Sequence, residues 1–346
     1  MDWSRLHYFI NMINSISFMK LLVTGGLGFI GSNFISRIFE NHKDWSIVNV
    51  DAGLYGSNHQ SLKKFENNPK YSFVKGNIVD QKLMDNLVSE SDVVVNFAAE
   101  SHVDGSILDA KPFIDSNILG VFTLLEIIKK MKKKMIHIST DEVYGSFNSG
   151  SAKEETRLNP SSPYAASKAS AELLIQSYVT TYGCDVIITR CTNNYGPKQF
   201  PEKLIPKTII LALNDKKIPV YGTGKNIRDW IFVEDHCDAI IDVIIKGKSG
   251  QSYNISGGNE IDNITIIEKI LSIIGKPTKS IEFVEDRPGH DFRYSMESKK
   301  IRNELKWKHE IEFKEGMEKT VKWYLNNKEW WKNISNKVLK STPWKN

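Results

Sequence analysis

The chain has 346 residues, with 46 Lys+Arg against 41 Asp+Glu, a formal net charge of +5. Hydrophobic residues make up 40% and charged residues 25%, which excludes a collagen, a long disordered tail and a disulfide scaffold. At roughly 150 residues per domain the length allows one large or two medium domains. The mild positive charge suits an anionic small molecule and makes no case for nucleic acid.

The three cysteines, Cys184, Cys191 and Cys237, form no CxxC pair. They point to a reducing compartment, hence a cytoplasmic protein. No window approaches the ~18–20 consecutive apolar residues of a membrane helix. In residues 1–18, Asp2, Arg5, His7, Asn11 and Asn14 break any signal-peptide core. The segment reads as an N-terminal extension ahead of a fold that starts at Met19–Lys20.

From Lys20 the pattern alternates strand and helix. Lys20–Thr24 is a short apolar run, followed by a Gly-rich turn and helical spacing over Phe29–Phe39. Further apolar runs lie at Ile47–Val50, Tyr71–Val74, Val93–Phe97, Met135–Ile138 and Val186–Thr189. Helices are expected over Phe113–Met131 and Ala165–Tyr182. Strands spaced by helices imply βαβ units, and continuous apolar strands imply a parallel sheet buried on both faces. After Arg190, Pro197, Pro201, Pro206 and Pro219 punctuate loops. A helix at Asp235–Ile245, a strand at Ser252–Ile255 and a helix at Ile264–Ile274 follow. The chain thus reads as a Rossmann-type, doubly wound α/β fold with a smaller interleaved α/β domain. The lysines of 129–134 read as a solvated helix end.

Val23–Ser32 reads VTGGLGFIGS, with glycines 25, 28 and 31 spaced GxxGxxG and glycines 26, 28 and 31 spaced GxGxxG. The motif follows a strand and opens a helix, the context a dinucleotide site requires. Glycines let the backbone approach a pyrophosphate whose charge sits at the helix N-terminus. Asp51, 20 residues after Gly31, is placed to accept from the adenine ribose hydroxyls and to repel a 2′-phosphate. NAD is therefore favoured over NADP. Asn77 and Ile78 are placed to flank the adenine, and the small Ala98 and Ala99 let the cofactor cross the sheet.

Tyr164 and Lys168 stand at i and i+4 on one helix face. An ammonium beside a phenol lowers its pKa, which makes Tyr164 a usable base. Ser139-Thr140-Asp141-Glu142 follows a strand, and ligands bind at strand C-terminal ends in open α/β sheets. Thr140 can hydrogen-bond a substrate hydroxyl, and the adjacent acids offer a general acid and a general base.

On these residues the chain resembles an extended short-chain dehydrogenase/reductase, and within that group the dTDP-glucose 4,6-dehydratase family. The likeness runs from Met19 to about Trp331 and rests on TGGLGFIGS, AAESHVD (Ala98–Asp104), STDEVYG, SPYAASKA, NNYGP (Asn193–Pro197), FPEKLIP (Phe200–Pro206), PVYGTGKNIRDWIFVEDH (Pro219–His236) and RPGHDFRY (Arg287–Tyr294). The adjacent Asp-Glu of TDEVYG is the discriminating feature, since epimerases and decarboxylases of this fold generally lack it. The resemblance implies that Tyr164 takes the proton of the 4-hydroxyl, that Glu142 removes the hydrogen on carbon 5, and that Asp141 protonates the departing 6-hydroxyl. NAD is implied as a recycled cofactor, held by Gly25, Gly28, Phe29, Ile30, Gly31, Asp51, Asn77, Ile78, Ala98, Ala99, Ser116, Tyr164, Lys168 and Asn194.

The resemblance also assigns the nucleotide-sugar contacts. Ser101, Thr140 and Asn193 would meet the hexose and its neighbouring phosphate. Lys203, Leu204, Pro219 and Tyr221 would line the nucleotide pocket. Arg228, Arg287 and His290 would face the pyrophosphate, with Asn263 near the nucleoside. The implied division is an extension at 1–18, an NAD-binding Rossmann domain at 19–195 plus 229–256, a nucleotide-sugar-binding domain at 196–228 plus 257–332, and a tail at 333–346. A homodimer, paired through Phe113–Met131 and Ala165–Tyr182, is also implied, with neither a nucleic acid nor a membrane partner and no metal. Gly105, Asn77 and Phe292 depart from the family pattern. A UDP-glucose dehydratase, an epimerase of the same fold and a non-catalytic NAD-binding scaffold remain as alternatives.

Overall fold

The computed structural model describes residues 18–340 and 342–345. Most of the N-terminal extension read from the sequence lies outside them. Strands form in chain order as β1 (Lys20–Thr24), β2 (Ser46–Asp51), β3 (Tyr71–Lys75), β4 (Val93–Asn96), β5 (Lys134–Thr140) and β6 (Val186–Cys191). They continue as β7 (Asn193–Tyr195), β8 (Ile218–Tyr221), β9 (Ile227–Phe232), β10 (Ser252–Ile255), β11 (Glu260–Asp262) and β12 (Ile281–Val284).

Seven strands build one sheet in the order β10-β6-β5-β4-β1-β2-β3. Every pair in it is parallel. Successive residues feed opposite faces, as the strand period of two requires. Leu21 and Val23 enter one apolar core with Val93, Val95, Ile136 and Ile138, while Leu22 enters the other with Val94 and Met135. Helices cover both faces, which is why these strands read as unbroken apolar runs. The strand order reverses at the neighbouring β1 and β4, and the crevice beyond their C-terminal ends is where such folds bind ligands.

The expected helices form. Helical structure spans 111–131, but a π turn at Asp115–Leu119 interrupts it ahead of the helix Gly120–Met131. The helix Pro163–Tyr182 starts two residues before the expected boundary, capped by Ser162, whose hydroxyl accepts from the Ala165 amide. The lysines at 129–134 are only partly a solvated helix end: Lys129 pairs with Glu126 on its own helix, but Lys133 donates to the Ser91 carbonyl and Lys134, the first residue of β5, to the Ile244 carbonyl.

β7 and β9 pair in parallel and β9 and β11 antiparallel in a three-stranded sheet, while β8 and β12 form a separate parallel pair. These small sheets and the helices Leu204–Leu213, Asn263–Ile274 and Phe313–Asn326 enclose a further apolar core around Tyr195, Ile209, Phe232, Ile266, Ile270 and Tyr324. The helix Val233–Lys246 returns to the large sheet, where Arg37 holds Asp238 through two hydrogen bonds.

Candidate active site

β1 ends at Thr24 and the chain must turn at once. Gly25 sits at φ 70°, and a Cβ there would stand 2.6 Å from the Ala98 amide nitrogen. A Cβ on Gly31 would meet the Gly25 carbonyl oxygen at 2.5 Å. Any side chain at either place would push the turn off β4 or off the helix Phe29–Asn41. Gly28 precedes that helix with no side-chain cap, so the first-turn N–H groups carry the positive end of the helix dipole into the cleft. That is an anion site.

Asp51 ends β2 beside the turn and is buried. Its Oδ2 accepts from the Leu27 amide at 2.9 Å, and its Oδ1 accepts from the Gly53 amide at 2.8 Å and the Ser57 hydroxyl at 2.9 Å. A carboxylate offers about four lone-pair positions, so one remains for a ribose hydroxyl. The same carboxylate therefore braces the glycine turn and retains an acceptor facing the cleft. Glycine turn, free helix terminus and acidic acceptor together fit NAD.

One cavity of about 310 Å³ is lined by Gly25, Gly28, Phe29, Ile30, Gly31, Asp51, Asn77, Ile78, Ala98, Ala99, Ser116 and Asn194. Thr140, Asp141, Glu142, Tyr164, Lys168, Ser101, Asn193 and Lys203 line it too. A second cavity of about 180 Å³ is lined by Leu204, Pro219, Tyr221, Arg228, Asn263, Arg287 and His290. The two share Glu142, Asn193 and Lys203. Every residue that the sequence assigned to catalysis, cofactor or substrate thus lines one cavity or the other, and Glu142 lines both.

The two acids differ in their surroundings. Asp141 is buried at the end of β5, and its Oδ2 has no hydrogen-bond partner among the described residues. Burial, then the charges of Glu142 and Asp229, hold its carboxyl well above the usual range. Glu142 is also raised by burial, but the cations Arg287, Arg228 and Lys203 pull it back. The Tyr294 hydroxyl reaches Glu142 Oε2 at 3.4 Å. The pair is thus biased toward a protonated Asp141 and an ionised Glu142, the split that a paired acid and base require.

The expectation for Tyr164 needs correction. Burial, reinforced by Glu142, pushes its phenol well above its ordinary value, and hydrogen bonding with Thr140 opposes this only in part. Lys168 does not counter it, because its ammonium donates to the Ile138 carbonyl at 2.6 Å and lies 3.4 Å from His137 Nε2. Burial brings Lys168 down to about 8. Burial of a phenol beside a carboxylate outweighs a lysine whose charge is aimed at the strand.

Arg228 and Lys203 are not ordinary surface cations. Arg228 is buried, donates to the carbonyls of Ile227, Asp291 and Phe292, and stacks over the Tyr294 ring at 4.2 Å. Lys203 Nζ donates to the Ser101 carbonyl at 2.9 Å, which ties the two cavities together. His290 holds Asp286 at 2.6 Å, and burial followed by the charge of Arg287 lowers it to about 4, so it acts as a neutral ring.

Sequence reasoning assigned no role to Asp104, His102 or Glu202. Asp104 accepts from Arg287 at 3.0 Å and from the Tyr221 hydroxyl at 3.1 Å. His102 Nδ1 lies 3.2 Å from Glu202. The sequence signal was their position in motifs: His102 and Asp104 in AAESHVD, and Glu202 in FPEKLIP.

A family model described as GDP-mannose 4,6 dehydratase matches residues 22–320. A dTDP-glucose 4,6-dehydratase of Actinoplanes sp. is 44% identical over 90% of this chain and all of its own length. The Bacillus anthracis dTDP-glucose 4,6-dehydratase, solved in complex with NAD, is 46% identical and superimposes with a TM-score of 0.87 over 92% of this chain and 100% of that one. The Streptomyces venezuelae dTDP-glucose 4,6-dehydratase, solved with NAD and TYD bound, is 42% identical with a TM-score of 0.90 over the same shares. With this likeness extending along nine-tenths of its length, the chain belongs to the dTDP-glucose 4,6-dehydratase family of extended short-chain dehydrogenases/reductases.

Proposed function

We propose that the protein is an NAD-dependent nucleotide-sugar 4,6-dehydratase that converts dTDP-glucose to its 4-keto-6-deoxy product with loss of water. The observation that carries the reading is the unequal acid pair Asp141/Glu142 facing Tyr164 in a cleft with a dinucleotide-type turn. NAD, when bound, supplies a positively charged ring that accepts a hydride from carbon 4 and later returns it to carbon 6.

The chain's own residues do the rest. Tyr164, ionised to the phenolate, takes the 4-hydroxyl proton, with Thr140 positioning that hydroxyl; the positive ring of bound NAD would offset the burial that raises the phenol. The resulting ketone acidifies the hydrogen on carbon 5, and Glu142 removes it. Asp141, kept protonated by burial, gives its proton to the 6-hydroxyl as it leaves. Arg228 and Arg287, partnered but near the shared wall of the two cavities, meet the pyrophosphate. Residues 196–228 and 257–332 supply most of the nucleotide-sugar side. An epimerase has no step that uses the Asp141/Glu142 pair, and a scaffold has no use for it at all.

Incubation with dTDP-glucose, UDP-glucose and GDP-mannose separately, followed by mass analysis, tests the reading. Water loss from dTDP-glucose is expected. Loss from none of the three would refute a dehydratase, and preference for another nucleotide would reassign the base.

The same reading includes a homodimer. Phe122 on the helix Gly120–Met131 and Leu173 on the helix Pro163–Tyr182 are 45% and 58% exposed, and Leu119 is 48% exposed. Exposed apolar residues on two adjacent helices support pairing with a second copy. Leu173→Glu is expected to yield a monomer by light scattering; an unchanged mass would move the interface elsewhere. No helix among the described residues is long and apolar enough to cross a membrane.

A further inference from the structure

The family match ends at residue 320, yet the chain beyond it packs back on the second cavity. Ile334 and Leu339 pack against the apolar core around Tyr324 and Trp331. Lys207, a lining residue of that cavity, donates its ammonium to the Lys340 carbonyl at 3.2 Å. Lys345 pairs with Glu285. Between these ties, Trp344 is 8% exposed, and its ring meets the Tyr221 ring edge to face at 4.6 Å and 83°.

Tyr221 needs such support. It ends β8, a strand paired among the described residues only with β12, and Gly222 follows it at φ 53°. Its hydroxyl is held by Asp104 at 3.1 Å, and the His290 ring lies 6.4 Å away. Asp104 fixes the tip of the side chain; Trp344 fixes the ring. Trp344 itself does not line the cavity.

We infer that Trp344 is a positioning residue for the nucleotide end of the substrate, acting through the ring of Tyr221. The inference rests on the reading of this cavity as the nucleotide pocket. An aromatic ring held in its binding orientation loses less freedom when a base packs on it, and edge-to-face pairs favour one orientation over others. The C-terminal segment thereby becomes part of the substrate site without touching the substrate.

The test uses the full chain with Trp344→Ala and Trp344→Phe. In Trp344→Ala, the KM for dTDP-glucose and the Kd for thymidine diphosphate should both rise on the order of tenfold, with kcat held within about twofold. Trp344→Phe should recover most of the affinity, because it restores an aromatic edge. NAD affinity and melting temperature should stay near those of the parent. Unchanged KM and Kd in Trp344→Ala would overturn the inference. So would a joint loss of kcat, NAD affinity and melting temperature in both variants, which would mark general loosening. If the parent protein dehydrates no nucleotide sugar, the functional reading fails instead, and thymidine diphosphate binding still reports on Trp344.

Discussion

Asp104 and Arg287 stand 183 residues apart in the chain and 3.0 Å apart in the fold. Burial would raise the Asp104 carboxyl, but Arg287, His102 and Tyr221 outweigh it and hold it below the usual range. The ion pair ties the short helix Val103–Leu108, which follows β4, to the loop after β12. It also places a guanidinium whose charge draws Glu142 down. The base of the proposed reaction is therefore tuned by a contact between two distant segments.

Replacing Arg287 by Met removes the largest opposing influence on Glu142. The Glu142 pKa should rise, so the acid limb of the pH–kcat/KM profile should move to higher pH. Asp104→Asn leaves the guanidinium in place without its carboxylate and should raise the KM for the nucleotide sugar. An Arg287→Met profile superimposable on that of the parent would separate Arg287 from Glu142.

The pH profile of the parent protein should be bell-shaped. Glu142 must be ionised to act as base, and its pKa lies above its ordinary 4.5, so activity falls as pH drops through that raised value. Asp141 must be protonated to act as acid, and it is raised further above its ordinary 3.8, so activity falls again at higher pH. Since the two are adjacent, the limbs belong to the pair. Asp141→Asn should depress kcat, and a profile unchanged apart from scale would argue against its role as the acid.

Glu142→Gln should allow oxidation at carbon 4 but stop elimination. Reduced nicotinamide should then accumulate on the protein after mixing with dTDP-glucose, visible by absorbance. A normally folded variant with no such signal would contradict the elimination role.

Tyr164→Phe should abolish turnover while leaving NAD binding intact, because Lys168 keeps its bond to the Ile138 carbonyl without the phenol. Turnover near that of the parent would remove Tyr164 as base.

Beneath the site, Arg190 on β6 and Glu172 on the helix Pro163–Tyr182 form a fully buried pair, with Arg190 also donating to the Tyr144 hydroxyl. Glu172→Gln should strand the guanidinium charge and cost about 3–5 kcal/mol of stability by urea unfolding. A loss under about 1 kcal/mol would mean that the neighbours compensate.

The glycine turn, Asp51, the Thr140-Asp141-Glu142 run and the Tyr164/Lys168 spacing were legible because each is local. A turn needs glycine at a given offset, a strand end is marked by the end of an apolar run, and an i, i+4 pair needs only a helix. The large sheet was legible for the same reason, since its strands read as separate apolar runs. The short strands β7, β8, β9, β11 and β12 were not, because three to six residues among prolines and glycines carry no period.

What the sequence determined by itself was therefore the dinucleotide turn, the strand-end placement of Thr140, Asp141 and Glu142, and the helical pairing of Tyr164 with Lys168. What only the tertiary structure decided was how those groups are tuned. Asp141 and Glu142 are adjacent and chemically alike, yet one is buried with an unpartnered oxygen and the other lies within reach of Arg228 and Arg287. Lys168 turns its charge toward Ile138 rather than lowering Tyr164. Trp344 closes on Tyr221 from a segment beyond the family match. Each of these depends on desolvation and on contacts between segments far apart in the chain, and neither quantity is written in local spacing.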